Sequence, residues 1–289
     1  MRIGAIFPQI EIGSDPAVIR DYVQAVEGMG YDHLLAYDHV LGAHPSHFEG
    51  SFRPPYTHES LFHEPMVLFG YLAAVTSRIE LATGIVILPQ RQTVLVAKQA
   101  TEVDILSGGR LRLGVGIGWN HVEFEALGED FKTRGRRVGE QIALMRRLWC
   151  EQLVDFEGKY HTVRQAGLNP LPVQRPIPVW MGAMTEPALR RAARIADGWY
   201  PQFRADARGA ETIERVRGWV REAGRDAAAF GVEGRIGLLN TPEAEWAAAL
   251  EGWRVVGASH VSVNTMGAGL ASPRDHIDAL RRFIALAKA

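Results

Sequence analysis

The sequence predicts an α/β fold, a closed (β/α)8 barrel that forms a single domain over residues 1–289. Short apolar runs alternate with helical patterns from one end of the chain to the other, and this order produces a parallel sheet flanked by helices. Eight strand units can be counted, most of them followed by a helix, and 289 residues are enough for such a barrel. The pattern contains no linker, no repeat of fixed period and no low-complexity run, which favours one domain.

Each predicted strand is a short apolar run followed by turn-forming residues. The strands lie at about Arg2 to Phe7, His33 to Tyr37, Ile79 to Ile87, Arg112 to Ile117, Pro178 to Met181, Gly198 to Tyr200, Gly234 to Leu239 and His260 to Thr265. Chemistry in such barrels takes place at the carboxyl ends of the strands, so the residues after each run are the candidates for function.

The predicted helices carry their own start signals. Asp15 can cap the first helix, and Pro16 suits its first turn. Thr185 can cap the helix after the fifth strand, and Ser272 with Asp275 opens the last helix. The other helices are predicted at about 65–76, 93–106, 137–149 and 207–223, with one more that begins at Thr241 and Pro242.

Two segments depart from the regular alternation. Residues 41–63 form a long loop rich in histidine, proline and aromatic residues, and loops of that length are usually functional. We therefore expect an active-site loop there. Residues 119–177 form an insertion region, which contains a helix and a hairpin at about Val154 to His161.

Composition narrows the classes of partner. The formal net charge is -1, from 32 basic and 33 acidic residues, which argues against nucleic acid or an anionic membrane as the main partner. Cys150 is the single cysteine, so no internal disulfide can form, and a reducing compartment is expected. The N-terminus resembles a buried strand rather than a signal peptide, and no apolar run approaches the roughly 20 residues of a membrane-spanning helix. These features predict a cytoplasmic protein that acts on a small molecule.

Asp38 and His39 directly follow the second predicted strand. A carboxylate beside an imidazole at a barrel mouth can orient a proton donor or tune a base near neutral pH. The same pair also suits a structural role in which Asp38 caps a turn. The first strand ends in Phe7-Pro8-Gln9 and lacks the His-x-His typical of metal-dependent hydrolase barrels, which lowers the case for a hydrolase.

Glycines at two further strand ends suggest a binding site. Gly84 lies inside the third strand, and Gly114, Gly116 and Gly118 alternate along the fourth. Glycines on one face leave a flat slot in which a planar ring could lie, or they accommodate a tapered barrel interior. The turn Gly182 to Thr185 runs straight into a helix, which suits either a phosphate or an ordinary helix cap.

The histidine-rich loop offers a weak metal motif. His44-x-x-His47 followed by Glu49 supplies three ligand types, but this spacing matches no common metal motif. A polar loop over the barrel mouth explains the same residues, and we expect no bound metal.

Two signatures resemble a known superfamily. The first is the stretch Thr83 to Pro89, then Ala97 to Leu111, then Gly114 to Trp119; the second is Pro178 to Gly182 with its continuation to Pro201. Together they resemble the luciferase-like monooxygenase superfamily over nearly the whole chain. Within it, the sequence is most similar to the branch of probable coenzyme F420-dependent oxidoreductases, where F420 is a deazaflavin.

This resemblance implies a luciferase-like TIM barrel with insertions and a cofactor ring at its C-terminal mouth. It also implies a bulge with a non-prolyl cis peptide at Gly84–Ile85, which would cost roughly 3–4 kcal/mol. The resemblance places the ring and the phosphate of the cofactor on Asp38, His39, Gly84, Ile85, Gly116, Gly182, Ala183, Met184 and Thr185.

The main functional hypothesis is hydride transfer between coenzyme F420 and a small organic substrate. His39, held by Asp38, is the expected proton donor or acceptor. Three alternatives are an FMN-dependent monooxygenase served by a partner flavin reductase, a metal-dependent barrel hydrolase, and a barrel that only binds its ligand. Apolar residues on more than one face of the helices at 66–74 and 94–97, together with the family likeness, suggest a homodimer.

Overall fold

The computed structural model describes residues 1–48 and 53–288. Its strands are β1 (Arg2–Ile6), β2 (His33–Ala36), β3 (Glu80–Thr83), β4 (Val86–Ile87), β5 (Leu111–Gly116), β6 (Val154–Glu157), β7 (Thr162–Ala166), β8 (Val179–Gly182), β9 (Gly198–Tyr200), β10 (Gly231–Gly237) and β11 (His260–Asn264). Its helices are α1 (Pro16–Gly28), α2 (Pro65–Val75), α3 (Thr93–Leu106), α4 (His121–Ala126), α5 (Arg134–Cys150), α6 (Glu186–Ile195), α7 (Ala207–Glu222), α8 (Trp246–Val255) and α9 (Pro273–Lys288).

The strands form a closed, parallel, eight-stranded barrel, which confirms the predicted fold class. Around the barrel the order is β3, β2, β1, β11, β10, β9, β8 and β5, and β3 pairs with β5 to close the ring. β4 continues β3 after a break at residues 84–85 and also pairs with β5, so the predicted third strand is one interrupted strand. β6 and β7 form a separate antiparallel hairpin, which extends beyond the predicted one to Ala166.

The helices begin where capping residues allow, and they cover the outside of the barrel. Asp15 accepts a hydrogen bond from the Ala17 N–H, and Ser272 and Asp275 bond to each other at the start of α9. Buried apolar side chains between helices and strands form the main core. Helix α4 was not predicted, because a six-residue helix leaves too short a periodic pattern to recognise. No helix among the described residues is long and apolar enough to cross a membrane.

Toward the amino ends of the strands, charged side chains rather than aliphatic ones fill the barrel interior. The Arg112 guanidinium is buried, and it bonds to Glu233 at 2.5 Å and to Glu80 at 2.6 Å. Glu233 also bonds to His33 Nε2 at 2.8 Å. Burial, together with the neighbouring Arg112 charge, lowers the pKa of His260 to about 3. This network connects residues from five strands, and it exists only because the barrel is closed.

Candidate active site

Three glycines and one isoleucine shape the barrel mouth on the side of β3, β5 and β8. A Cβ added at Gly116 would lie 2.4 Å from Ile85 Cδ1, and one added at Gly182 would lie 3.5 Å from the Ile85 side chain. Gly84 itself has no room for a Cβ, because Leu35 lies 2.1 Å from that position. The glycines therefore make room for Ile85, whose side chain covers Gly116. The slot predicted along the fourth strand is occupied by this side chain, and Gly116 supports Ile85.

The peptide bond between Gly84 and Ile85 is trans, so the expected cis bond is a wrong prediction. Among the described residues, cis bonds occur at Asn169–Pro170 and Arg175–Pro176. The break between β3 and β4 forms without the cost of a non-prolyl cis bond. Its ends are held by other contacts: the Gly84 N–H donates to Ala36 O at 2.7 Å, and Thr83 Oγ1 donates to Gly114 O at 2.7 Å.

Asp38 fixes this bulge instead of orienting His39. Its side chain is fully buried, and its two oxygens accept from the Ile87 N–H at 2.9 Å and from Arg91 Nη2 at 2.7 Å. Burial raises the pKa of the Asp38 carboxyl, while Arg91 and the Ile87 N–H oppose that rise. Arg91 bonds in turn to Glu64 at 2.8 Å. The prediction that Asp38 holds His39 is therefore wrong, because both carboxylate oxygens are bonded elsewhere; its contact with a cofactor stays a prediction.

Glu123 is the residue that holds His39. Its carboxylate Oε2 lies 3.2 Å from His39 Nδ1 and accepts from Gln90 Nε2 at 3.0 Å. Its Oε1 accepts from the backbone N–H groups of Val40 at 2.5 Å and Leu41 at 3.2 Å. Burial acts to raise the pKa of Glu123, but the hydrogen bonds from His39, Gln90 and Val40 outweigh it and the pKa lies below its usual value.

An ionised Glu123 determines the tautomer of His39. A carboxylate only accepts hydrogen bonds, so the ring nitrogen that faces it must carry the proton. The Tyr56 hydroxyl, 2.5 Å from the same Nδ1, is a second oxygen to which this N–H can donate. In the neutral ring, His39 Nε2 then carries the free lone pair. Nε2 bonds to no group within the described part of the chain. His39 is thus arranged to accept a proton at Nε2.

Aromatic side chains surround the His39 ring. Its centroid lies 3.7 Å from that of Tyr56 and 5.0 Å from that of Phe62, both in the loop 41–63. Trp119, which follows β5, lies 5.3 Å from Tyr56 and 5.4 Å from Phe48. The histidine side chain is consequently only 11% exposed. An apolar surrounding of this kind excludes water from the group that would transfer the proton.

The turn Gly182 to Thr185 leads into α6 as predicted. Ala183 is buried and its carbonyl accepts from Trp199 Nε1 at 2.9 Å, whereas Met184 is exposed. Thr185 is the N-cap residue, but its hydroxyl makes no capping bond to the helix. A hydroxyl that does not bond to its own helix, next to N–H groups at the helix start, can bind a phosphate oxygen. The turn therefore fits a phosphate, and that role stays a prediction.

A metal centre finds no support among the described residues. No group of three or more His, Cys, Asp or Glu side chains within residues 1–48 and 53–288 is arranged to hold a metal ion. His44 Nδ1 bonds to Ser46 Oγ at 2.8 Å. Glu49, the third member of the weak motif, lies outside the described residues.

Sequence reasoning missed Glu123, Tyr56 and Arg91. Glu123 lies 84 positions after His39, in a helix too short to be predicted. Its only signal was an acidic residue shortly after the glycine-rich strand end Gly114 to Gly118. Tyr56 was placed in the active-site loop without a role.

The fold and the mouth thus define a parallel barrel with a buried carboxylate facing an imidazole beyond its strand ends. Residues 4–282 match the family model described as luciferase-like monooxygenase, and the chain belongs to that family. This result confirms the resemblance found in the sequence.

Relatives within the family differ in cofactor. An uncharacterized protein of Mycobacterium tuberculosis is 36% identical over 184 residues, 61% of this chain and 62% of the relative. The F420-dependent glucose-6-phosphate dehydrogenase of Intrasporangium calvum is 32% identical over 193 residues, 64% of this chain and 53% of that protein. The FMNH(2)-dependent dimethylsulfone monooxygenase of Pseudomonas putida is 29% identical over 180 residues, 61% of this chain and 47% of that protein. The matches thus span less than two thirds of each relative.

One solved structure illustrates how far the fold is shared. The F420-dependent secondary alcohol dehydrogenase in complex with an F420-acetone adduct aligns over 100% of this chain and 99% of its own, with a TM-score of 0.76. The sequence identity is 18%, so this likeness concerns the fold.

Proposed function

We propose that this chain is an oxidoreductase that transfers a hydride between coenzyme F420 and a small organic substrate. The observation that carries the proposal is His39, whose Nδ1 faces the buried Glu123 carboxylate at 3.2 Å and whose Nε2 is left to exchange a proton. Oxidation of an alcohol by hydride transfer releases one proton, and reduction of a carbonyl takes one up. A positioned imidazole meets either requirement.

The residues at the mouth fit a bound deazaflavin. Ile85, supported by Gly116 and Gly182, offers an apolar surface against which a planar ring can rest. The Thr185 hydroxyl at the start of α6 offers a donor for the phosphate. When bound, the deazaflavin supplies hydride donor and acceptor chemistry. The protein orients the substrate, holds the proton at His39 and keeps water out with Tyr56 and Phe62.

The second candidate is an FMN-dependent monooxygenase that receives reduced flavin from a partner reductase. The P. putida relative supports it, because that enzyme is FMNH(2)-dependent. We favour F420 because a histidine that exchanges one proton matches the stoichiometry of hydride transfer to a carbonyl. Product formation coupled to oxygen consumption would instead support the monooxygenase.

The test compares F420 and FMN by fluorescence titration of the same protein. We expect tight binding of oxidised F420 and weak binding of FMN; the reverse preference would favour the monooxygenase, and binding of neither would contradict both proposals.

A variant pair tests the role of His39. His39→Ala should lower turnover by about 10²–10⁴-fold and change F420 affinity little, as expected for a general acid or base. His44→Ala is the matched control, because His44 contacts Ser46 and lies in the neighbouring loop. Equal losses of turnover and affinity in His39→Ala would make His39 a binding residue.

We also propose that the chain forms a homodimer through α2 and α3. Val67 is 72% exposed on α2, and Val94 and Leu95 are 45% and 52% exposed at the start of α3. Neighbouring apolar side chains of this size are commonly covered in an oligomer. Light scattering after size exclusion should give twice the mass of 31.9 kDa, and Val67→Glu with Leu95→Glu should give the monomer mass. A monomeric parent protein would refute this proposal.

A further inference from the structure

An arginine points into the barrel mouth without a carboxylate partner. In β10, Glu233 points inward, because it contacts His33 and Arg112 across the barrel interior. Side chains two positions apart in a strand share a face, so Arg235 also points inward, one layer nearer the mouth. The register agrees, because Arg235 pairs with Ser262, whose hydroxyl donates to the Glu233 carboxylate inside the barrel.

No acidic side chain in the described part of the chain neutralises Arg235. Its one polar contact is Nη1 to the Tyr37 hydroxyl at 3.4 Å. Glu233, the nearest acidic residue along the strand, already bonds to Arg112, His33 and Ser262. Arg91, by contrast, is an arginine at the same mouth that bonds to two carboxylates.

Arg235 borders the cleft in which a substrate would lie. The cleft is open to solvent on one side and lies at the mouth of the barrel. Gly84 and Leu35 line one part, and Tyr37, Gln202 and Arg235 line another. Gln9 bonds to both backbone groups of Tyr37, at 3.1 and 3.2 Å, and so fixes the residue next to the arginine.

We infer that Arg235, assisted by the Gln202 amide and the Tyr37 hydroxyl, binds an anionic oxygen group of the substrate. A guanidinium offers two parallel N–H donors to a carboxylate or a phosphate, and an amide and a hydroxyl complete such a site. The substrate class is therefore an organic anion. The assignment of this anion as a substrate of hydride transfer rests on the proposed function. Bound in this way, the anionic group lies at the Arg235 wall of the cleft, and the rest of the molecule extends toward Gly84 and Leu35.

Binding of small anions to the protein without added cofactor tests this site. The probes are benzoate, inorganic phosphate and the neutral benzamide, each followed by calorimetric titration and by thermal unfolding. We expect saturable binding of one or both anions and none of benzamide. A preference for benzoate identifies a carboxylate substrate, and a preference for phosphate identifies a phosphorylated one.

Three variants decide whether Arg235 is responsible. Arg235→Gln should weaken anion binding by about ten- to hundredfold, because a charge-assisted hydrogen bond is lost. Arg235→Lys should recover part of the affinity. Arg164→Gln on the exposed hairpin strand β7 removes the same charge elsewhere and should bind like the parent protein. Equal binding by Arg235→Gln and the parent, or no anion binding by the parent, would overturn the inference.

F420 titration of the same variants separates this inference from the proposed function. Unchanged F420 affinity in Arg235→Gln, together with lost anion binding, supports a substrate site. A parallel loss of F420 affinity would assign Arg235 to the phosphate or carboxylates of the cofactor and would overturn the substrate assignment. Anion binding through Arg235 in a protein that binds neither F420 nor FMN would refute the proposed function and leave the anion site standing.

Discussion

Glu123→Gln should reverse the tautomer of His39. In the parent protein the carboxylate accepts four hydrogen bonds, from Val40, Leu41, Gln90 and His39. A glutamine at position 123 keeps one oxygen for the two backbone donors and presents an NH₂ group to the other two partners. Gln90 can turn its amide over and accept through Oε1, which has no partner in the parent protein. The new amide N–H and the Tyr56 hydroxyl can then both donate to His39 Nδ1, which favours the tautomer with the ring proton on Nε2.

The expected effect is large on turnover and moderate on stability. With its proton on Nε2, His39 cannot accept one from an alcohol. In a serine protease the wrong imidazole tautomer lowers turnover by about 10⁴-fold, and general acid–base catalysis as a whole contributes about 10²–10⁴-fold. Replacing charge-assisted hydrogen bonds by neutral ones should lower the free energy of unfolding by about 1.5–3 kcal/mol.

The assay reads the tautomer directly. The ¹⁵N chemical shifts of histidine rings distinguish a protonated Nδ1 from a protonated Nε2, so the measurement requires neither substrate nor cofactor. Glu64→Gln is the matched control, because Glu64 bonds to Arg91 and to the Val67 N–H rather than to His39. Unchanged His39 shifts in Glu123→Gln would refute the reasoning, whatever happened to the activity.

Three further predictions concern the barrel interior. His260→Asn should flatten the acid dependence of stability. The pKa of His260 falls from 6.5 to about 3 in the folded protein, so between these pH values the unfolded chain binds a proton that the folded protein does not. The contribution of His260 therefore destabilises the protein by about 1.4 kcal/mol for each pH unit below about 6.5. Urea unfolding at several pH values checks this, and equal slopes in variant and parent would contradict it. Arg112→Met should cost about 3–5 kcal/mol by urea unfolding at pH 7, because it leaves Glu233 buried without its cation; a loss under 1 kcal/mol would contradict this. Gly116→Ala should displace Ile85, whose Cδ1 lies 2.4 Å from the new methyl group, and should cost about 1–3 kcal/mol and weaken F420 binding; unchanged melting temperature and F420 affinity would contradict this.

Local chemistry explains which elements could be predicted from the sequence. Apolar runs, capping residues and glycine turns act over a few positions, so the pattern alone indicated the parallel barrel and the caps at Asp15 and Ser272. The glycines at 84, 116 and 182 were also recognised, because a strand loses stability at a glycine unless something approaches closely. The sequence did not reveal that the approaching group is the side chain of Ile85.

Pairings over long distances in sequence could not be predicted in this way. Asp38 and His39 are neighbours in the chain, and adjacency suggested that they form a pair. Successive side chains near a strand end point in different directions, however, and each finds its partner on another element. Asp38 bonds to Arg91, 53 positions away, and His39 faces Glu123, 84 positions away. The parallel pairing of β2 with β3, and of β3 with β5, brings these strand ends together.

This division of partners gives the two carboxylates separable roles. Asp38 bonds to a backbone N–H of β4 and to a permanent cation, so its loss should disturb the position of Ile85 and therefore the binding of a ring. Glu123 bonds to the loop after β2 and to the imidazole, so its loss should alter the site of the His39 proton while the bulge at residues 84–85 is preserved. The same mouth thus contains one acidic residue that shapes the binding surface and another that sets the chemistry. Among the described residues, the two networks share no hydrogen bond. A variant at Asp38 should therefore change ring binding and spare the His39 proton, and a variant at Glu123 should do the reverse.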